Sequence, residues 1–211
     1  MTAATGALAA LGELDRTEVL AAVAAVDVAE KPVVAEHFRA LRDPALRRAV
    51  NEALASEGRE LIEHELGWLS AYRDDIADRL QEEGLGVLGR TDRAVLTLVL
   101  LHSVAIPRAR GRLDSDDWMQ AIPTTMDELK KSQSLTARDI QVSVRRLRTL
   151  GVLHHGNRGA IAPGPQFLRL TKQRTGRLAE ELVLLCRPTG MLAQVIRRRR
   201  DAATHEEVTH A

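Results

Sequence analysis

The sequence predicts a mainly α protein with short β-hairpins, and three observations carry that expectation. Apolar residues make up 45% of the 211-residue chain and aromatics only 2%. The core must therefore be built from Leu, Val, Ile and Ala, which suits helices better than a sandwich. Apolar positions recur at spacings of three and four through most of the chain, the helical period. The stretches that break that period, such as VLHHGNRGAIAP, are short and centred on glycine-containing turns.

Taken in order, residues 1–13 are rich in Ala, Gly and Thr with little periodicity and read as a frayed N-terminus. A helix follows over 16–29, with Val19, Leu20, Val23 and Val26 as its apolar stripe, and Lys31-Pro32 ends it. A short helix runs from Pro32 to Leu41. Asp43-Pro44 starts another, with Asp43 as cap, Leu46, Val50 and Leu54 inward, and Leu61 and Ile62 as a possible extension past Gly58. In ELGWLSAYRDDIADRL, Trp68, Tyr72, Ile76 and Leu80 fit one face of a helix or of a strand. The preferred reading is a hairpin of WLSAYR and IADRL turning at Asp74-Asp75.

The run EGLGVLGR marks a domain boundary. Thr91-Asp92 caps an apolar helix over TDRAVLTLVLLHSVAI that Pro107 and the loop after it end. Asp114 or Ser115 caps a short helix carrying Trp118, Met119 and Ile122. Thr136 and Asp139 form a T-x-x-D box opening a helix with Ile140, Val144 and Leu147 inward and Gly151 as its stop. Strands at 152–153 and 160–162 flank the turn 156–159, and Pro163 and Pro165 close the sheet. A helix over 175–187, a break at Pro188-Thr189-Gly190, a short helix ending in RRRR and a polar tail complete the chain.

Helix, short helix, basic helix and hairpin are the order of a winged-helix domain. The expected organisation is a disordered stretch 1–13, a helical, divergent winged-helix domain 14–89, a winged-helix domain 90–172, C-terminal helices 173–200 and a polar tail 201–211.

A formal net charge of +1 means that any affinity for DNA must come from charge placed locally. Such placement exists on the basic helix. Arg138, Gln141, Arg145 and Arg148 are spaced three, four and three apart, off the face of Ile140, Val144 and Leu147. Arginines there can neutralise phosphates or bridge guanine edges, and Arg158 at the hairpin tip would reach the flanking backbone of double-stranded DNA. RRRR at 197–200 is a positive patch that serves either non-specific DNA contact or solubility.

Signals for chemistry are weak. His154 and His155 are adjacent on a strand and point to opposite faces. No helical His or Cys pair has zinc spacing, and GxSxG, Walker A and GxGxxG patterns are absent. The one cysteine, Cys186, excludes an internal disulfide and fits a reduced, cytoplasmic setting. The N-terminus lacks the basic region of a secretory signal, and the apolar stretch 94–101 is too short to span a bilayer. The expectation is a non-enzyme with no cofactor, no metal and no membrane contact.

Three segments carry a family likeness: TDRAVLTLVLLHSV as a first helix, DIQVSVRRLRTLGVL as a third helix running into a wing, and AIAPGPQFLRL as a proline-broken exit strand. Together they resemble the kite proteins, tandem winged-helix subunits that accompany SMC ATPases. That family includes the MukE, MksE and ScpB groups and the equivalent subunit of Wadjet plasmid-defence systems. The resemblance implies a first winged helix in the N-terminal half with LGWLSAYRDDIADRL as its wing. It also implies a nucleoid-associated homodimer that binds a kleisin subunit beside an SMC ATPase. Such a subunit is non-catalytic and contacts DNA during loop extrusion, in chromosome organisation and segregation or in plasmid defence. The alternative is a winged-helix transcriptional regulator reading an operator. Residues 16–90 show neither a clear ligand pocket nor a long dimer helix, which favours the first reading.

Overall fold

A computed structural model of the chain describes residues 8–113, 117–132, 134–156 and 159–209. It groups into two compact units, Met1–Leu88 with Pro165–Gln173, and Gly89–Gly164 with Arg174–Ala211. Two short antiparallel hairpins stand among helices, the mainly α class expected from composition.

The first unit opens with α1 (Glu13–Val28), then an extended residue, Val33, bridged to Trp68. A 3-10 turn (Ala35–His37) and the single-turn α2 (Arg39–Arg42) follow. They replace the continuous helix expected over 32–41, because the bridge to Trp68 holds Val33 extended. In α3 (Pro44–Ser56), Asp43 Oδ1 accepts from the amides of Ala45 at 2.8 Å and Leu46 at 3.3 Å, with Pro44 in the first turn. The hairpin pairs β1 (Arg59–His64) with β2 (Gly67–Tyr72). Val19, Val26, Leu41, Val50 and Leu54 fill the core, with Trp68 and Leu61 packed against them.

Two expectations for this region are corrected. Leu61 and Ile62 lie in β1, because α3 stops at Ser56 and Gly58 turns the chain at φ +73°. The hairpin is formed by RELIEH and GWLSAY, whereas DDIADRLQE is α4 (Asp74–Glu82). Asp74 and Asp75 sit in the first turn of α4, where the helix dipole favours carboxylates, instead of in a β-turn. Gly67 is required where it stands. A Cβ there would lie 2.2 Å from the Val33 carbonyl oxygen.

Residues 165–172, expected to belong with the second winged helix, group with the first unit together with Gln173. Arg169, in a 3-10 turn (Pro165–Arg169), explains why. Its Nη1 donates to the Ser70 carbonyl at 2.7 Å, Ser70 Oγ at 2.9 Å and the Val26 carbonyl at 3.3 Å. Its Nη2 donates to the carbonyls of Asp27 at 2.8 Å and Ala29 at 2.7 Å. Val26, Asp27 and Ala29 carry orphan carbonyls at the C-terminal end of α1, which a cation satisfies well. Burial draws the Arg169 pKa down, the Asp27 carboxylate opposes that shift, and Arg59 adds to it. His64 Nε2 donates to the Leu168 carbonyl at 2.8 Å, and Thr171 Oγ1 donates to Asp74 Oδ1 at 2.8 Å.

The second unit repeats the order. α5 (Arg90–Leu100) runs through a π turn (Leu101–Ala105) into α6 (Ile106–Ala109). The sequence reading ended this helix at Pro107, but it continues to Ala109. A proline clashes with the carbonyl four residues before it. The π turn accommodates it, and the freed Ser103 carbonyl accepts from the Ile122 amide at 3.0 Å. Thr124 bridges Ile161. A full capping box of Thr125 and Glu128 then starts α7 (Met126–Lys130). α8 (Ala137–Thr149), Gly151 at φ +69°, and the hairpin of β3 (Leu153–His155) with β4 (Ile161–Pro163) complete the motif. Val95, Val99, Leu129, Ile140, Leu147 and Ile161 are fully buried. The expected caps Asp114 and Ser115 lie outside the described residues; Asp117 caps the 3-10 turn Trp118–Gln120.

The chain ends in α9 (Lys172–Cys186) and α10 (Met191–Thr209), broken at Pro188-Thr189-Gly190 as the sequence indicates. The polar stretch from Asp201 is helical to Thr209, not a tail.

Candidate nucleic-acid interface

α8 is positioned before it is functional. Thr136 Oγ1 accepts from the Asp139 amide at 3.1 Å and donates to Asp139 Oδ2 at 2.7 Å, fixing the N-terminus. Ile140, Ser143, Val144 and Leu147 then turn inward. Ser143 and Arg146 also tie α8 to α5 through Asp92, which is buried. Arg146 Nη1 donates to Asp92 Oδ2 at 2.9 Å. A hydrogen bond from Ser143 is the main force holding the Asp92 carboxyl below its ordinary pKa, with burial opposing it and Arg146 assisting. Asp92 was expected to cap α5; Gly89 occupies the cap position and Asp92 faces α8 instead.

The outward side of α8 carries Arg138, Gln141, Val142, Arg145 and Arg146, all exposed. Of the four helix residues the sequence singled out, three stand together in the open, and Arg148 does not. Arg148 is half-buried, and its Nε and Nη2 atoms are shielded from solvent with no hydrogen-bond partner among the described residues. Burial pulls its pKa down. It sits one residue after Leu147 and four after Val144, at the edge of the inward face, so an i, i+3 count from Arg145 overstates its reach. Arg158 lies outside the described residues. Sequence reasoning passed over Arg146 and Val142. Arg146 is a fourth arginine of the same helix, and Val142 an apolar residue inside the polar face.

The RRRR patch is not free charge. Arg199 pairs with Glu180, Arg200 reaches Glu180 at 3.0 Å and Glu181 at 2.6 Å, and Arg197 donates to the Pro188 carbonyl at 2.7 Å. These contacts clasp α10 to α9. Among the described residues, Arg198 alone of the four is at the surface without such a contact.

The equivalent helix of the first unit, α3, offers no such face. Arg47 stacks on Trp68 at 4.9 Å from the ring centre and donates to the Leu41 carbonyl at 2.9 Å. Asn51 Oδ1 accepts from the Leu61 amide at 2.9 Å. Arg48 and Glu52 are exposed and opposite in sign.

His154 Nδ1 donates to the Pro163 carbonyl at 2.6 Å across the second hairpin, while His155 faces solvent. Among the described residues no three His, Cys, Asp or Glu side chains converge as metal ligands. Among them, too, no helix is long and apolar enough to cross a membrane.

No family model matches the chain, and no curated protein matches it. Similar solved structures include ScpB from Mycobacterium tuberculosis, 19% identical, with 77% of this chain and 100% of that one covered at a TM-score of 0.24. Another is a conserved hypothetical protein from Chlorobium tepidum, 15% identical, with 73% and 93% covered at 0.32. At these TM-scores the likenesses carry no argument about fold or function.

Proposed function

We propose that this chain is a non-catalytic, DNA-contacting assembly subunit of the kite type. It acts as a homodimer that binds a kleisin beside an SMC ATPase. The observation that supports the reading is the winged-helix order built twice, with an arginine face on the third helix of the second unit alone. Beside its arginines α8 exposes Gln141 alone as a side chain suited to reading base edges by hydrogen bonds, and one basic helix with one near-neutral helix per chain suits a scaffold that also grips DNA. Arg138 and Arg145 meet phosphates, with Gln141 beside them, and binding is independent of sequence.

The test has two arms. Affinity capture of the native protein is expected to bring down a kleisin and an SMC ATPase. Recovery of the protein alone, with a footprint on a palindrome, refutes the assembly reading and favours a regulator. Arg138→Glu with Arg145→Glu is expected to weaken binding alike on unrelated duplexes. It should also reduce the slope of log affinity against log salt by about 2. An unchanged slope removes α8 from the DNA contact.

A further inference from the structure

Val142 takes no part in gripping phosphates, yet it stands in the middle of the face that does. It is 49% exposed, with Arg138 one turn before it and Arg145 one turn after it on the same outward ridge of α8. Gln141 and Thr149, exposed beside that ridge, are polar. Ile140, Val144 and Leu147 occupy the opposite side of the helix, so no core contact calls for a valine here. Single exposed apolar residues are ordinary, and α1 carries Leu14, Leu20 and Val28 in the open. Leu20 is among them although the sequence placed it in the core stripe. Val142 differs because its surroundings decide what covers it. Two exposed arginines bracket it, and the phosphates they attract bring a nucleic-acid surface down onto the valine.

We infer that Val142 packs against the C5-methyl groups of thymine in the major groove. α8 then takes thymine-bearing double-stranded DNA in preference to the same duplex without those methyls. The inference rests on the DNA contact of the proposed function and adds what that contact touches besides phosphate.

The reasons are geometric and chemical. The major groove of B-form DNA admits an α-helix, and the thymine methyl is the prominent apolar group on its base edges. Arg138 and Arg145 are seven residues apart, about 10 Å along the helix axis. Their long side chains span outward to phosphates, whereas a short valine between them stays at the ridge that meets the bases. Being β-branched, Val142 holds one preferred rotamer in a helix and presents its methyl groups at little cost in entropy. It has no donor or acceptor, so it registers the methyl groups within reach and ignores the order of bases. The contact therefore adds a compositional preference to a grip that no operator directs. Duplex RNA fails on two counts: uracil lacks the methyl, and the A-form major groove is too narrow for side chains to read.

Fluorescence anisotropy on the full chain, with two DNA duplexes of one sequence, tests this. The second duplex carries uracil at every thymine, which keeps the hydrogen-bonding edge and removes only the methyl. The uracil duplex is expected to bind about fourfold more weakly, with the same slope of log affinity against log salt. Val142→Ala should bind both duplexes alike, at about the affinity of the unaltered chain for the uracil duplex. Its circular dichroism spectrum should be unchanged, because alanine favours the helix and the site is exposed. Val142→Ile should keep the preference. Equal binding of the two duplexes by the unaltered chain, with the salt slope intact, overturns this inference and leaves the phosphate contact standing. A preference that survives Val142→Ala overturns the assignment to Val142, and duplex RNA bound as tightly as thymine DNA overturns the major-groove placement. Failure to bind either DNA duplex sinks both readings.

Discussion

The two third helices, α3 and α8, are each 13 residues long, each capped by a side-chain oxygen, and each followed by a glycine at positive φ and a hairpin. Their outer faces differ. α3 lays Arg47 on Trp68 and spends Asn51 on the backbone of β1, leaving Arg48 and Glu52 to offset each other. α8 commits one arginine to Asp92 and leaves Arg138 and Arg145 open. Each unit also holds a half-buried arginine, with opposite outcomes. Arg169 in the first unit donates to five acceptors, and Arg148 in the second leaves Nε and Nη2 without any among the described residues. One fold thus supports both an anchored unit and a charged one, because the core needs only the inward stripe of each helix.

This contrast can be broken most severely at Arg169. Arg169→Leu leaves the carbonyls of Val26, Asp27 and Ala29 without their donor, and is expected to destabilise the first unit by about 3–5 kcal/mol. The chain has two tryptophans, Trp68 in the first unit and Trp118 in the second. Trp118→Phe therefore lets fluorescence follow the first unit alone during urea unfolding; an unshifted midpoint counts against Arg169 as its anchor.

Next in size is the pairing of α5 with α8. Asp92→Ala removes the acceptor of Ser143 and Arg146 and should cost the second unit about 1–3 kcal/mol, read from Trp118 in a Trp68→Phe background. The sign with pH follows from the direction of the shift. The folded pKa of Asp92 lies below the ordinary 3.8. Its contribution is therefore complete above 3.8 and lost as pH falls through the lower folded value. Glu128 shifts the same way, chiefly through its bond from Thr124, so the second unit gains two acid-labile contacts. A Trp118 acid transition that Asp92→Ala leaves unchanged would discount the first of them.

A charge comparison between the helices sharpens the DNA assignment. Arg145→Glu should weaken duplex binding about tenfold at moderate salt, and Arg48→Glu should leave it within about twofold. Equal losses from both would place DNA on the two units alike. The smallest effect is expected at Arg148. Arg148→Met replaces shielded donors, unpaired among the described residues, with a flexible apolar chain of similar length, and should stabilise the second unit by about 1 kcal/mol without altering DNA affinity. Destabilisation would show that Arg148 has a partner in solution.

Local signals were readable wherever the interaction they encode is local. The Asp43 and Thr136 caps, the inward stripe of Ile140, Val144 and Leu147, the Gly151 stop and the break at Pro188 follow from residues within one helical turn. The Trp68–Leu80 segment misled because a spacing of four satisfies periods 2 and 3.6 together. The partner of β2 lay upstream in RELIEH, which also continued an apolar helix stripe. At the candidate interface, Arg138, Gln141 and Arg145 were legible from the wheel. Arg148 lies at the edge of the inward arc, where packing of neighbouring elements decides exposure, and Arg146 acquires its role from Asp92, 54 residues away.

By itself the sequence determined the inward stripes of α3 and α8, the basic character of α8 and the near-neutral balance that makes its charge local, since propensity, period and capping act over a few residues. Tertiary structure alone decided that 165–173 completes the first unit, that RRRR clasps α10 to α9, that Arg148 is withdrawn, and that Leu14, Leu20 and Val28 stand in the open. These outcomes turn on which distant carbonyl, carboxylate or apolar face comes to lie beside a side chain. No pattern over neighbouring residues records that.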